Sequence, residues 1–115
     1  MPRTPQEIFA HHASALMAGD VEEIVTDYAE DAVFITPQGV LQGKDGVRKG
    51  FTRLLADLPN AEWNVPTQIY DRDILFIEWS AVSENTRATD GIDTFVFEGD
   101  GIRVQTVRYT LDKTN

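Results

Sequence analysis

Hydrophobic spacing changes once along this chain, near residue 60, and that change restricts the folds open to it. The first half repeats apolar residues with the period of a helix. The second half alternates them with the period of a strand. Helices followed by strands predict an α+β fold, with the helices packed on one face of a mostly antiparallel sheet. A chain of 115 residues has room for one core but not two, so residues 1–115 read as a single domain.

The spacing predicts a first helix from about Pro5 to Ala18, with Ile8, Phe9, His12 and Leu16 on its apolar stripe. Gly19 ends it. Asp20 caps a second helix, Glu23 follows in a capping-box pattern, and Val21, Ile24, Val25 and Tyr28 form the inner face. Ala32 to Thr36 is a short strand closed by Pro37-Gln38-Gly39. A third helix follows Gly43, carries Val47, Phe51, Leu54, Leu55 and Leu58 on one side, and stops at Pro59. Lys44, Arg48, Lys49 and Arg53 lie on its polar side, a solvated face with a docking patch as the minor reading.

Strands are expected over about Glu62 to Tyr70, Asp73 to Ser83 and Gly91 to Glu98. Pro66 implies that the first is an edge or carries a bulge. The turn Glu98-Gly99-Asp100-Gly101 leads into a last strand, Ile102 to Leu111. At about 3.3 Å per residue such strands reach roughly 30 Å, enough to curl around the helices. On the second strand Leu75, Ile77, Trp79 and Ala81 share one face; Ile74, Phe76, Glu78 and Ser80 share the other. Both faces are largely apolar. One meets the helices, and the other calls for a partner, most simply a second copy of the chain. A homodimer packed through the sheet is expected.

Asp93 lies within Gly91-Ile92-Asp93-Thr94-Phe95-Val96-Phe97 and shares a strand face with Phe95 and Phe97. A carboxylate there is costly unless paired, hydrogen-bonded or neutralised. Burial raises a carboxyl pKa and leaves a protonated group able to donate. The alternative is a pair with Arg103 or Arg108. Whether Glu78 faces Asp93 depends on the parity of the Ser83 to Asp90 connection, which the sequence leaves open. A three-residue Gly99-Asp100-Gly101 loop puts Arg103, Gln105, Val107, Tyr109 and Leu111 on the Asp93 face; a two-residue loop selects Val104, Thr106 and Arg108. The longer loop is favoured, because a glycine is available for its left-handed position. The expected pocket then encloses Phe9, His12, Tyr28, Phe51, Phe76, Glu78, Asp93, Phe95 and Tyr109, apolar with a few convergent polar groups.

His12, in an apolar stripe, reads as an acid/base or ligand contact, or else as a core histidine bonded to backbone. His11 reads as exposed. Tyr28 and Tyr109 are core aromatics able to donate to a ligand carbonyl, and Trp63 and Trp79 are packing or dimer residues. The chain has no cysteine, which excludes disulfides and thiol chemistry. A formal charge of −9 works against nucleic acid and anionic membranes and favours a neutral or cationic ligand. No apolar run approaches membrane-spanning length, and Met1-Pro2-Arg3-Thr4-Pro5 lacks a signal-peptide stretch, so a cytoplasmic location is expected. Phosphate loop, nucleotide fingerprint, nucleophile elbow and metal loop are all missing, so neither metal nor cofactor is expected.

Several motifs resemble the nuclear transport factor 2-like superfamily, nearest its SnoaL-like polyketide cyclases and ketosteroid isomerases. They are Ala18-Gly19-Asp20-Val21-Glu22-Glu23-Ile24-Val25, Tyr28-Ala29-Glu30-Asp31-Ala32-Val33-Phe34, Thr36-Pro37-Gln38-Gly39, Gln42-Gly43-Lys44-Asp45-Gly46-Val47 and Ile92-Asp93-Thr94-Phe95-Val96-Phe97, with the Gly99-Asp100-Gly101 turn. The resemblance spans nearly the whole chain. It implies a cone-shaped curved sheet wrapped around three N-terminal helices, with a deep pocket and commonly a dimer. Ketosteroid isomerases carry a tyrosine on the first helix, where His12 stands here, and a base aspartate before a proline, where Thr36 stands. They keep a second aspartate neutral in an apolar site, and Asp93 matches it. Without the base at Thr36, steroid isomerisation by the family's route lacks a proton acceptor.

The resemblance therefore implies a cofactor-independent acid–base enzyme, an isomerase, cyclase or dehydratase, acting on a small apolar carbonyl compound. Asp93 would hold the oxyanion and Glu78 or His12 would move the proton. Phe9, Tyr28, Thr36, Phe51, Phe76, Phe95 and Tyr109 would line the ligand site. Two alternatives stand beside it: epoxide hydrolysis, with Arg103 between Glu78 and Asp93, and a non-catalytic dimeric ligand-binding module.

Overall fold

The computed structural model describes residues 3–113; Met1, Pro2, Thr114 and Asn115 lie outside it. Helix α1 spans Pro5–Ala18. Thr4 caps it reciprocally with Glu7: the Glu7 amide donates to the Thr4 hydroxyl and the Thr4 amide to the Glu7 carboxylate. Gly19, at φ 69°, closes it. Helix α2 is only Val21–Val25, capped by Asp20. It ends well before Tyr28, because sheet pairing takes over the backbone: the Asp27 carbonyl accepts from the Ile102 amide at 2.8 Å. Tyr28 therefore opens strand β1 (Tyr28–Thr36) and does not extend the helix face assigned to it above. Strand β2 (Gly39–Gln42), unforeseen in the spacing, returns from β1 as a hairpin. Helix α3 is Gly43–Asp57.

The remaining strands are β3 (Glu62–Asp71), β4 (Ile74–Val82), β5 (Thr86–Glu98), β6 (Gly101–Arg108) and the short β7 (Asp112–Lys113). The sheet order is β2-β1-β6-β5-β4-β3, with β7 on β5. Only the β1–β6 pairing is parallel. The curved, mostly antiparallel sheet wraps the helices as an open α+β cone, as expected. Strand β3 forms an edge, and its register slips between Asn64 and Thr67, around Pro66.

Two single-residue bulges decide which side chains enter the cone. Near the β4–β5 turn, Val82 pairs with Arg87 and Ala81 with Ala88; further along, Trp79 pairs with Gly91 and Ile77 with Asp93. The extra β5 residue between Ala88 and Gly91 moves Asp93 opposite Ile77. Unbulged pairing would have set Asp93 opposite Phe76 and put Glu78 on its face. Instead Glu78 opposes Ile92 on the outer face, exposed and hydrogen-bonded by the Thr67 hydroxyl at 2.8 Å. Phe76 lies on that outer face too, which corrects its place in the expected pocket.

At the β5–β6 turn the loop has two residues, Gly99 and Asp100, because Glu98 pairs with Gly101. A bulge at Arg103 then restores the register expected of the longer loop, so Gln105 opposes Phe95 and Val107 opposes Asp93. Arg103 is turned away from Asp93 and pairs with Asp31 at 3.3 Å. Leu111 is exposed.

The core fills the space between α1, α3 and the concave sheet, with Ile8, Val47, Phe51, Leu75, Phe95 and Ile102 buried. Helix α3 sits close on the β1–β2 hairpin. A Cβ at Gly46 would stand 2.8 Å from the Leu41 carbonyl carbon, and one at Gly50 would meet the Phe34 ring at 2.5 Å.

Candidate functional site

Asp93 reaches the interior from the middle of β5 and is 5 % exposed. Trp79 Nε1–H donates to its Oδ1 at 2.7 Å, and Gln105 Nε2–H donates to its Oδ2 at 2.7 Å. The Tyr28 hydroxyl donates to Gln105 Oε1, which fixes the amide's orientation. Among the described residues no cation pairs with Asp93, so the expected partners Arg103 and Arg108 are both spent elsewhere, on Asp31 and Asp90. Burial pushes the Asp93 carboxyl up to about 7, although both hydrogen bonds pull the other way. The indole of Trp79 folds over Gly91, its cross-strand neighbour, where any Cβ would overlap the ring at 2.1 Å. That missing side chain lets Trp79 reach the acid.

His12, on the buried face of α1, is 3 % exposed and packed among rings. The centroids of Phe51 and Phe95 each lie 5.4 Å from its own, and those of Phe9 and Tyr28 lie 5.9 and 6.0 Å away. Its Nδ1 is the one buried side-chain polar atom among the described residues with no hydrogen-bond partner. Burial lowers its pKa to about 4, so the imidazole is neutral at ordinary pH. His12, Asp93 and Gln105 line one cavity of about 40 Å³ with Phe9, Phe51, Trp63, Trp79 and Phe95. One water needs about 10–15 Å³ on this scale, so the space suits a few waters or the reacting end of a small molecule.

The expected site thus divides. Phe9, His12, Phe51, Asp93 and Phe95 come together around the small cavity, and Tyr28 supports it from behind. Glu78 and Phe76 are outside. Thr36 and Tyr109 line a separate, larger cleft of about 620 Å³ between α3, the β1–β2 turn and the end of β6. There the Tyr109 hydroxyl donates to Asp57 Oδ2 at 2.9 Å; burial, then Asp57, raise its pKa. The convergence that epoxide hydrolysis requires of Arg103, Glu78 and Asp93 does not occur. Gln105 and Trp79 are the functional neighbours that spacing alone assigned to a face or to packing. Their hydrogen bonds depend on the two bulges.

A second buried acid escaped the sequence reading. Asp27 is 1 % exposed and accepts from Arg3 Nη1 at 2.9 Å. His11, expected to be simply exposed, lies between Asp27 at 2.6 Å from Nδ1 and Glu23 at 2.8 Å from Nε2. Two carboxylates on two ring nitrogens favour the imidazolium, and the Asp27 bond raises the His11 pKa. Among the described residues no group of three or more His, Asp or Glu side chains has metal-holding geometry, and no helix is long and apolar enough to cross a membrane.

Solved structures with this architecture include a putative ketosteroid isomerase from Kribbella flavida DSM 17836, at 13% identity and TM-score 0.77, covering 96% of this chain and 81% of that one. A protein of ketosteroid isomerase-like fold from Catenulispora acidiphila DSM 44928, in complex with trimethylamine, has 17% identity and TM-score 0.75, covering 94% and 88%. A SnoaL-like protein of unknown function from Burkholderia thailandensis E264 has 18% identity and TM-score 0.73, covering 92% and 93%. At these identities the likeness establishes the fold. No protein with a curated description matches the sequence. The sequence itself matches the SnoaL-like domain over residues 9–105, and the chain belongs to that family, within the nuclear transport factor 2-like superfamily.

Proposed function

We propose that this SnoaL-like protein is a cofactor-independent proton-transfer enzyme acting on a small carbonyl compound in the Asp93 cavity. One observation carries the reading: a buried acid without a cation and a buried imidazole with an unpartnered nitrogen line the same space. Asp93, protonated below about 7, donates to the substrate carbonyl oxygen. Neutral His12 takes the proton from the adjacent carbon, and its return to a different carbon completes an isomerisation. Glu78 has no part in this, because it faces the other way. The cavity volume of about 40 Å³ favours a small ketone or enone, or the reactive end of a larger one. The exposed Ile69, Ile74, Val82 and Ile92 support a homodimer packed through the outer sheet face.

The test is exchange of the α-protons of a small cyclic enone in deuterated water, followed by NMR. Exchange should be fastest between about pH 4 and 7, the limits set by His12 and Asp93. Asp93→Asn should slow it by about a hundredfold. Equal exchange by the variant would contradict the proposal.

A second reading has its own support. Phe9, Trp63, Trp79 and Phe95 surround an acid with no cation partner, as an aromatic cage for a small alkylammonium does. The Catenulispora acidiphila protein of like fold was solved with trimethylamine. Binding of trimethylammonium that strengthens as pH rises through about 7 would favour this cage. Binding absent at pH 8 would exclude it.

A further inference from the structure

The larger cleft, which shares Leu54 with Asp93's cavity, has a pattern of its own. Its floor is apolar, formed by Phe34, Leu41, Leu54 and Val107, and its α3 wall carries Lys49 and Arg53, one helical turn apart. Elsewhere most of the guanidinium groups are matched. Arg3 holds Asp27 and Asp100, Arg48 holds Glu22 and Asp45, and Arg103 holds Asp31. Lys49 and Arg53 form no ion pair among the described residues. The acid best placed for Arg53 is Asp57, one turn on, but its Oδ2 accepts the Tyr109 hydroxyl instead. An arginine followed by an acid four residues later is also the weaker helical order.

We propose that this cleft binds an amphipathic monocarboxylate, its apolar body on the Phe34–Leu54–Val107 floor and its carboxylate on Arg53 and Lys49. A guanidinium presents parallel donors that match the two oxygens of a carboxylate, and Lys49 adds a point charge beside it. A cleft of about 620 Å³ falls in the usual range for a small organic ligand. The overall charge of −9 opposes an anion only at long range, since charges beyond about 8 Å are screened at physiological salt. Asp57, the acid lining the cleft, is shielded in part by its Tyr109 bond. The site stands apart from the proton-transfer proposal, because it uses neither Asp93 nor His12.

The test is calorimetric titration with phenylbutyrate and its neutral counterpart phenylbutyramide. Phenylbutyrate should bind saturably, and the amide should bind about tenfold more weakly or worse. Arg53→Gln and Lys49→Gln, both on exposed positions, should each bring phenylbutyrate toward the amide's affinity, while Asp93→Asn leaves it unchanged. Equal binding of acid and amide, no binding of the acid, or wild-type affinity in both α3 variants would overturn the proposal. Loss of binding on Asp93→Asn alone would assign the acid to the inner cavity and overturn it equally. None of these outcomes touches the enone-exchange test.

Discussion

Ionising Asp93 inside the cone costs free energy, and that cost ties its chemistry to stability. The unfolded acid ionises near 3.8 and the folded one near 7, so between these values the folded state holds one proton more. Stability from this group therefore falls as pH rises through that window, by about 4 kcal/mol in all. His12 acts in the opposite sense. Unfolded, it takes a proton near 6.5; folded, not until about 4, so stability falls as pH drops through that range, by about 3 kcal/mol. The two slopes cancel between about 4 and 6.5. Asp93→Asn removes one of them and can keep the network, because a flipped Gln105 amide accepts from the new side chain and donates to the Tyr28 oxygen. Urea unfolding should show the variant gaining on wild type by roughly 3–4 kcal/mol between pH 4 and pH 8. Parallel pH profiles would show that Asp93 titrates normally. Asp93 was legible as a special acid from the aromatic residues alternating with it. Its donors, Trp79 and Gln105, were not legible as donors, because a hydrogen bond across strands requires the register.

Register belongs to the elements, and here the pattern of apolar residues reached its limit. Alternation grouped Leu75, Ile77, Trp79 and Ala81 on one face of β4 without showing that this face turns inward; all four are buried, whereas the expected pocket takes Phe76 and Glu78 from the other face. It could not reveal the extra residue between Ala88 and Gly91: the bulge breaks the alternation of β5 there, burying Ala88 and Gly91 three residues apart, in a small and polar stretch that carries no apolar pattern to read. One such residue separates Glu78 from Asp93. A bulge at Arg103 likewise placed Gln105 and Val107 as a longer turn would have done. The helices were clearer: α1 has the bounds its spacing predicts, and α2 is cut short where Asp27 joins the sheet. The seating of α3 on β2 follows from glycine rather than from apolar pattern. Gly46→Ala should gain about 1 kcal/mol in helix propensity and lose more to overpacking against the Leu41 backbone, about 1–3 kcal/mol. A lower unfolding midpoint in urea is expected; a higher one would mean that α3 and the hairpin separate easily.

For the whole molecule, the sheet divides the Asp93 cavity from an exterior that is greasy without being enclosed. Ile69, Ile74 and Ile92 project from three adjacent strands on the outer face beside Phe76. Light scattering at micromolar concentration should give twice the 12.9 kDa chain mass, and Ile74→Lys should shift it to the monomer by placing a charge within the contact. A monomeric wild type would leave that face without the proposed partner. The interior is acidic in a particular way, with a buried acid that no cation pairs with among the described residues, hydrogen-bonded by an amide and lining one cavity with a neutral imidazole. Everything proposed for the inner cavity depends on that isolation. It is measured most directly by following the side-chain carboxyl carbon of Asp93 by NMR as pH is raised. A midpoint near 7 is predicted, and a midpoint near 4 would contradict the account.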